Sequence, residues 1–107
     1  MTAEEVEHIL GAMGYEASKS NIHQLSVFLA AFETYAERNA RHADTWKDSG
    51  WRGALFDIRK KIDRLWNEYM VSDTPPSDLD SAIDAINYLA FFIRARETGV
   101  EGNWRWK

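Results

Sequence analysis

Cysteine is absent from the 107 residues, which excludes a disulfide framework and every thiolate-based metal or nucleophile chemistry. Proline occurs only as the adjacent pair Pro75-Pro76, so one loop is forced and the rest of the chain is free to be helical. A basic surplus is also missing. Thirteen Lys and Arg stand against 17 Asp and Glu, for a net charge of −4, whereas a chain that grips a nucleic-acid backbone carries excess positive charge. Duplex nucleic acid is therefore not an expected partner. No apolar run approaches the roughly 20 residues of a membrane span. The opening "MTAEEVEHIL" is acidic where a secretory signal would be basic. The expected setting is cytoplasmic, with no membrane partner.

What is present is helical pattern. Apolar residues make up 45%, enough for a single globular domain of this length with a modest core. Thr2 followed by Glu5 is a capping box that opens a short helix over about 3–13, closed by Gly14. Ser20 reads as the cap of a long helix over about 21–43, with Ile22, Leu25, Phe28, Leu29, Phe32 and Ala36 as its apolar side. "DSGWRG" interrupts the period, and a third helix follows over about 51–70 with Leu55, Ile58, Ile62, Leu65, Trp66 and Tyr69 on one face. After "VSDTPPS", Ser77 and Asp80 resemble another capping box, and a fourth helix runs over about 78–98 to Gly99; residues 99–107 form a tail with no readable period. The fold class is all-α: a bundle of three long helices plus a short N-terminal one. Helix four is apolar nearly all round, so an oligomer, dimer or tetramer, is expected to cover it.

Asp80, Asp84 and Asn87 interrupt that apolar helix and fall within roughly 60° of one another. Glu33 and Glu37 are likewise four apart on helix two. Like charges at this spacing repel, and two such pairs facing across a bundle call for a cation. Mg²⁺ suits them, since it takes a few carboxylates and completes its shell with water and phosphate oxygens. On that view, removing Asp84 relieves repulsion and leaves the fold intact or more stable. The plainer alternative puts Asp80 on the helix dipole and leaves Glu33 and Glu37 solvated. A buried Asp84 must still be paired, liganded or protonated.

Helix three carries Asp57, Lys61, Arg64 and Glu68 on one arc. They form either a salt-bridged surface stripe or the wall of a cleft. In a cleft, Lys61 and Arg64 would bind phosphate oxygens and Asp57 would join the metal carboxylates. His8, His23 and His42 show no ligand spacing. Trp46 and Trp51 either stack on a base or cap the core.

"YAERNARHADTWKDSGWRGALFDIRKKIDRLW" followed by "DLDSAIDAINYLAFF" resembles the phage nucleotide-modification-associated domain family, related to the MazG-like all-α nucleoside triphosphate pyrophosphohydrolases. The resemblance rests on a D-x-x-x-K-x-x-R-L helix and a D-x-x-N-Y helix. It implies Mg²⁺-dependent cleavage between the α- and β-phosphates of a nucleotide by a homodimer or homotetramer, within a bacterial host if the chain is phage-encoded. Carried over by position, Asp57 and Asp84 become the catalytic carboxylates. Glu33, Glu37, Asp80 and Asp84 become the metal ligands, and Lys61, Arg64 and Asn87 the nucleotide and phosphate contacts. The related E-E-x-x-E pattern is replaced by Glu33-x-x-x-Glu37, and a later E-x-x-D by Asp80-x-x-x-Asp84. These departures imply either one metal in place of two or a protein that binds nucleotides without cleaving them. A small oligomeric adaptor with no ligand is the third expectation.

Overall fold

The computed structural model describes residues 1–42, 46–77 and 79–102, apart from the side chains of His42 and Trp46. Helices α1 (Ala3–Met13), α2 (Lys19–His42), α3 (Trp46–Ser72) and α4 (Leu79–Thr98) follow in order, with no strand among the described residues. None of these helices is long and apolar enough to cross a membrane. The tryptophans at 104 and 106 lie outside the described residues.

Local chemistry sets the helix ends. The Thr2 hydroxyl accepts from the Glu5 amide at 3.2 Å while the Glu5 carboxylate accepts from the Thr2 amide, and Gly14 closes α1 at φ 82°. Helix α2 begins before the expected Ser20. The Ser18 hydroxyl accepts from the Asn21 amide at 3.1 Å, and the Ile22 amide closes the first turn on the Ser18 carbonyl. Ser18 is thus the cap, and Ser20 sits inside the first turn. At the α3–α4 loop, the Glu68 carboxylate accepts from both the amide and the hydroxyl of Ser77, at 2.9 and 3.0 Å. Ser77 therefore ties the proline loop back to α3.

The expected break at "DSGWRG" shrinks to one residue. Helical backbone runs on both sides of Gly50, which alone departs, at φ 65° and ψ −162°, a region open essentially to glycine only. The reason is a close backbone crossing with the segment after α4. A Cβ on Gly50 would lie 2.0 Å from the Glu101 carbonyl oxygen, and the facing Gly102 also has positive φ. Glu101 clasps the junction: its carboxylate accepts from Trp51 Nε1 at 2.8 Å and from Arg52 at 2.9 Å. Those hydrogen bonds, Trp51 first, hold the Glu101 carboxyl below the usual carboxylate range. The Arg52 guanidinium lies 4.2 Å above the Trp51 ring. Trp51 therefore anchors the α3 kink.

Helices α3 and α4 form the main packed pair, α1 lies on α2, and α2 crosses α4; among the described residues α2 and α3 make no close backbone approach. Among the described residues, then, α4 packs against both other long helices while α2 and α3 stay apart at the backbone. The buried apolar residues are few and mostly small (Val6, Leu10, Ala31, Ala54, Ala85, Ala95), whereas Phe28, Phe32, Ile62 and Trp66 from the expected apolar faces are exposed.

Two glycines give opposite expectations. Gly50→Ala, which meets the Glu101 backbone, is expected to lose at least about 2 kcal/mol in chemical denaturation. Gly11→Ala, inside α1 with open space around it, is expected to gain about 0.5–1 kcal/mol.

Candidate functional site

Position 84 falls on α4 at the border between the side that meets α2 and the side that meets α3. Both oxygens of the Asp84 carboxylate are engaged, each by a different helix. Arg38 of α2 donates to Oδ1 at 2.7 Å, and Lys61 of α3 places its Nζ 3.0 Å from Oδ2. The Asp84 and Lys61 side chains are only 11% and 15% exposed, while Arg38 is 57% exposed and reaches the pair from the rim. One carboxylate thus links two helices that, among the described residues, make no close backbone approach.

The electrostatics follow from that geometry. Burial pushes the Asp84 carboxyl up, but the hydrogen bonds and charges of Arg38 and Lys61 outweigh it and hold the group below its ordinary value. Asp57, half-buried on α3, goes the other way: burial raises it, only partly offset by the charges of Lys60 and Lys61. Tyr88 is raised by burial and then by the negative charges of Asp57 and Asp84. Lys61 therefore sits in the field of two carboxylates, and Tyr88 borders the same cluster.

One turn further along α4, the buried Asn87 donates its side-chain amide to the Ala31 carbonyl at 3.0 Å. This bond pins the crossing of α2 on α4. Beside it a groove of about 450 Å³ opens between the two helices, walled by Phe28, Phe32, Tyr35, Phe91 and Arg94 with Asn87 at its floor. Tyr35 meets Phe91 edge-on at 5.7 Å, and Arg94 donates to the Tyr35 hydroxyl at 3.1 Å.

The expected site residues divide. Asp84, Lys61, Asp57 and Asn87 gather around the α4 joint. Asp80 is exposed in the first turn of α4 and contributes to the field at Arg38. Arg64 is exposed on α3. Glu33 pairs with the N-terminal amine at 3.5 Å, and Glu37 pairs with Arg41 one turn away. Among the described residues no three acidic or histidine side chains come together to hold a metal ion. Of the four carboxylates read as Mg²⁺ ligands, Asp84 has cationic partners on both oxygens, the two glutamates face other positive groups, and Asp80 is exposed. The expected gain on removing Asp84 changes sign as well, because its neighbours are attractive. The expected surface pairs of α3 are replaced too, since Lys61 turns to Asp84 and Glu68 to Ser77.

Sequence reasoning missed Arg38, Tyr35 and Arg94. For Arg38 a signal existed: a buried aspartate demands a partner, and α2 offers Arg38 and Arg41 near its end. Which of the two reaches Asp84 depends on the helix crossing, and periodicity does not encode that.

No protein-family model, curated protein or solved structure matches the chain.

Asp84→Asn is expected to lower stability by about 1–3 kcal/mol at neutral pH, because it leaves Arg38 and Lys61 facing a neutral group. Asp57→Asn is expected to be neutral or stabilising, since it removes a charge that burial penalises. Asp84 holds its proton less tightly folded than unfolded. Its contribution is therefore whole above the ordinary value of 3.8 and is lost as pH falls through the lower folded value. Denaturation curves between pH 7 and 3 should show a shallower acid loss in Asp84→Asn than in the unaltered protein.

Proposed function

We propose that the chain binds a nucleotide, with the base between the aromatic walls of the α2–α4 groove and a phosphate against Arg94. The observation that carries this reading is the groove itself. Its volume of about 450 Å³ lies in the range of small-molecule sites, which combine apolar walls with a few placed polar groups. Rings from both helices supply stacking faces, Arg94 supplies a forked cation suited to phosphate, and Asn87 supplies an amide at the floor. The resemblance to nucleotide-modification-associated proteins points to the same ligand class.

A Mg²⁺-dependent nucleoside triphosphate pyrophosphohydrolase is the second reading. It is favoured by the gathering of Asp57, Asp84 and Lys61 at one joint, the positions that the resemblance marks as catalytic and phosphate-binding. Binding stands ahead of cleavage because Asp84 is neutralised inside the chain by Arg38 and Lys61. Release of pyrophosphate from a nucleoside triphosphate, lost in Asp84→Asn, would put the second reading first.

Thermal unfolding with nucleosides, nucleoside monophosphates and triphosphates, each in Mg²⁺ and in chelator, tests the proposal. A ligand at 100 times its Kd stabilises by about 2.7 kcal/mol, which is readily seen in a chain of this size. Phe91→Ala is expected to weaken binding of all three classes, while Arg94→Ala weakens triphosphates more than nucleosides. No stabilisation by any nucleotide at millimolar concentration, with or without Mg²⁺, contradicts the proposal.

A further inference from the structure

Helix α3 carries an apolar stripe that its own chain leaves uncovered. Leu55, Ile62, Trp66 and Tyr69 are spaced by seven, four and three residues, so they share one arc of roughly 60° on the helix. All four are exposed, Ile62 by 50% and Trp66 by 60%. The Trp66 and Tyr69 rings touch, with centroids 5.7 Å apart, and form one aromatic end of the stripe. The ion pair of Arg59 with Asp63 lies at the border of the stripe, giving it the polar rim on an apolar centre that protein interfaces show. In a three-helix bundle α2 would cover this face. Here α2 crosses α4 instead and, among the described residues, makes no close backbone approach to α3.

We propose that the α3 stripe is the docking face for a second copy of this chain. Area and compactness both argue for such a partner. The accessible surface is 7981 Å², against roughly 6,100 Å² for a compact monomer of this mass. A standard interface needs only about 800 Å² from each partner, so the surplus is large enough to supply one. The radius of gyration is 16.2 Å, where a closed domain of this length has about 13 Å. A second α3 is a fitting occupant because a stripe centred between Ile62 and Trp66 meets its own copy antiparallel about a twofold axis, apolar arc on apolar arc, which is the commonest way homo-oligomers close. The face is distinct from the α2–α4 groove, so association and nucleotide binding stand or fall separately.

The absence of cysteine makes the test direct. Ile62→Cys and Val71→Cys each place a single thiol on α3, Val71 being 89% exposed and outside the stripe. A short bismaleimide cross-linker should join two copies through position 62 and leave position 71 largely uncoupled. Sedimentation of the unaltered protein between 1 and 100 µM should give about twice 12.4 kDa, and Trp66→Glu should return it to the monomer mass. A monomer throughout that range overturns the proposal. So does cross-linking at 71 in preference to 62, or an undiminished dimer in a folded Trp66→Glu variant. Should Trp66→Glu fail to fold, the cross-linking pair decides alone.

Discussion

The carboxylate of Asp84 is the interaction on which the arrangement of the long helices depends. Among the described residues helices α2 and α3 make no close backbone approach, yet Arg38 of one and Lys61 of the other reach the same side chain of α4. Ion pairs of this kind contribute little net stability relative to apolar packing, but they are costly to break on one side only. In a chain whose buried residues are mostly alanines and small aliphatics, the geometric role is large. The Asp84 bridge and the Asn87 amide on the Ala31 carbonyl together fix where α2 crosses α4. That crossing in turn creates the aromatic groove between them and leaves the α3 stripe exposed.

The same bridge changes how the acidic residues read. In sequence, two carboxylate pairs on neighbouring helices suggest a shared cation. In the folded chain three of the four meet a positive group of the protein, Glu33 the N-terminal amine, Glu37 the guanidinium one turn on and Asp84 two helices at once, while Asp80 stays exposed. The contrast between Asp84, held below its ordinary value, and Asp57, pushed above it, follows from the same arrangement. Both are shielded from water, but only Asp84 receives direct hydrogen bonds from cations.

How much of this was legible in the sequence follows from the range of each interaction. The capping box at Thr2 and Glu5, the stop at Gly14 and the proline loop were readable because each is decided within a few residues. The break before Trp51 was visible as a lost period, but its reduction to Gly50 alone was not, since the cause is a backbone crossing with Glu101 and Gly102. Of the stripe Asp80, Asp84 and Asn87, the last two are buried polar groups in an apolar helix while Asp80 is exposed, and burial demanded a partner for Asp84. The identity of that partner, Arg38, rests on the helix crossing. The apolar face of α3 was also read correctly as a face. Its placement in a core was not, because period alone does not say whether another helix arrives to cover it.

A double-mutant cycle measures the central claim most directly. Chemical denaturation of Arg38→Ala, Lys61→Ala, Asp84→Asn and the two doubles that contain Asp84→Asn gives a coupling energy for each cation with the carboxylate. If Asp84 joins α2 to α3, both couplings should exceed about 0.5 kcal/mol, with the more buried Lys61 giving the larger value. Additive effects within about 0.3 kcal/mol for both pairs would contradict the account and leave the crossing of α2 on α4 to the Asn87 bond alone.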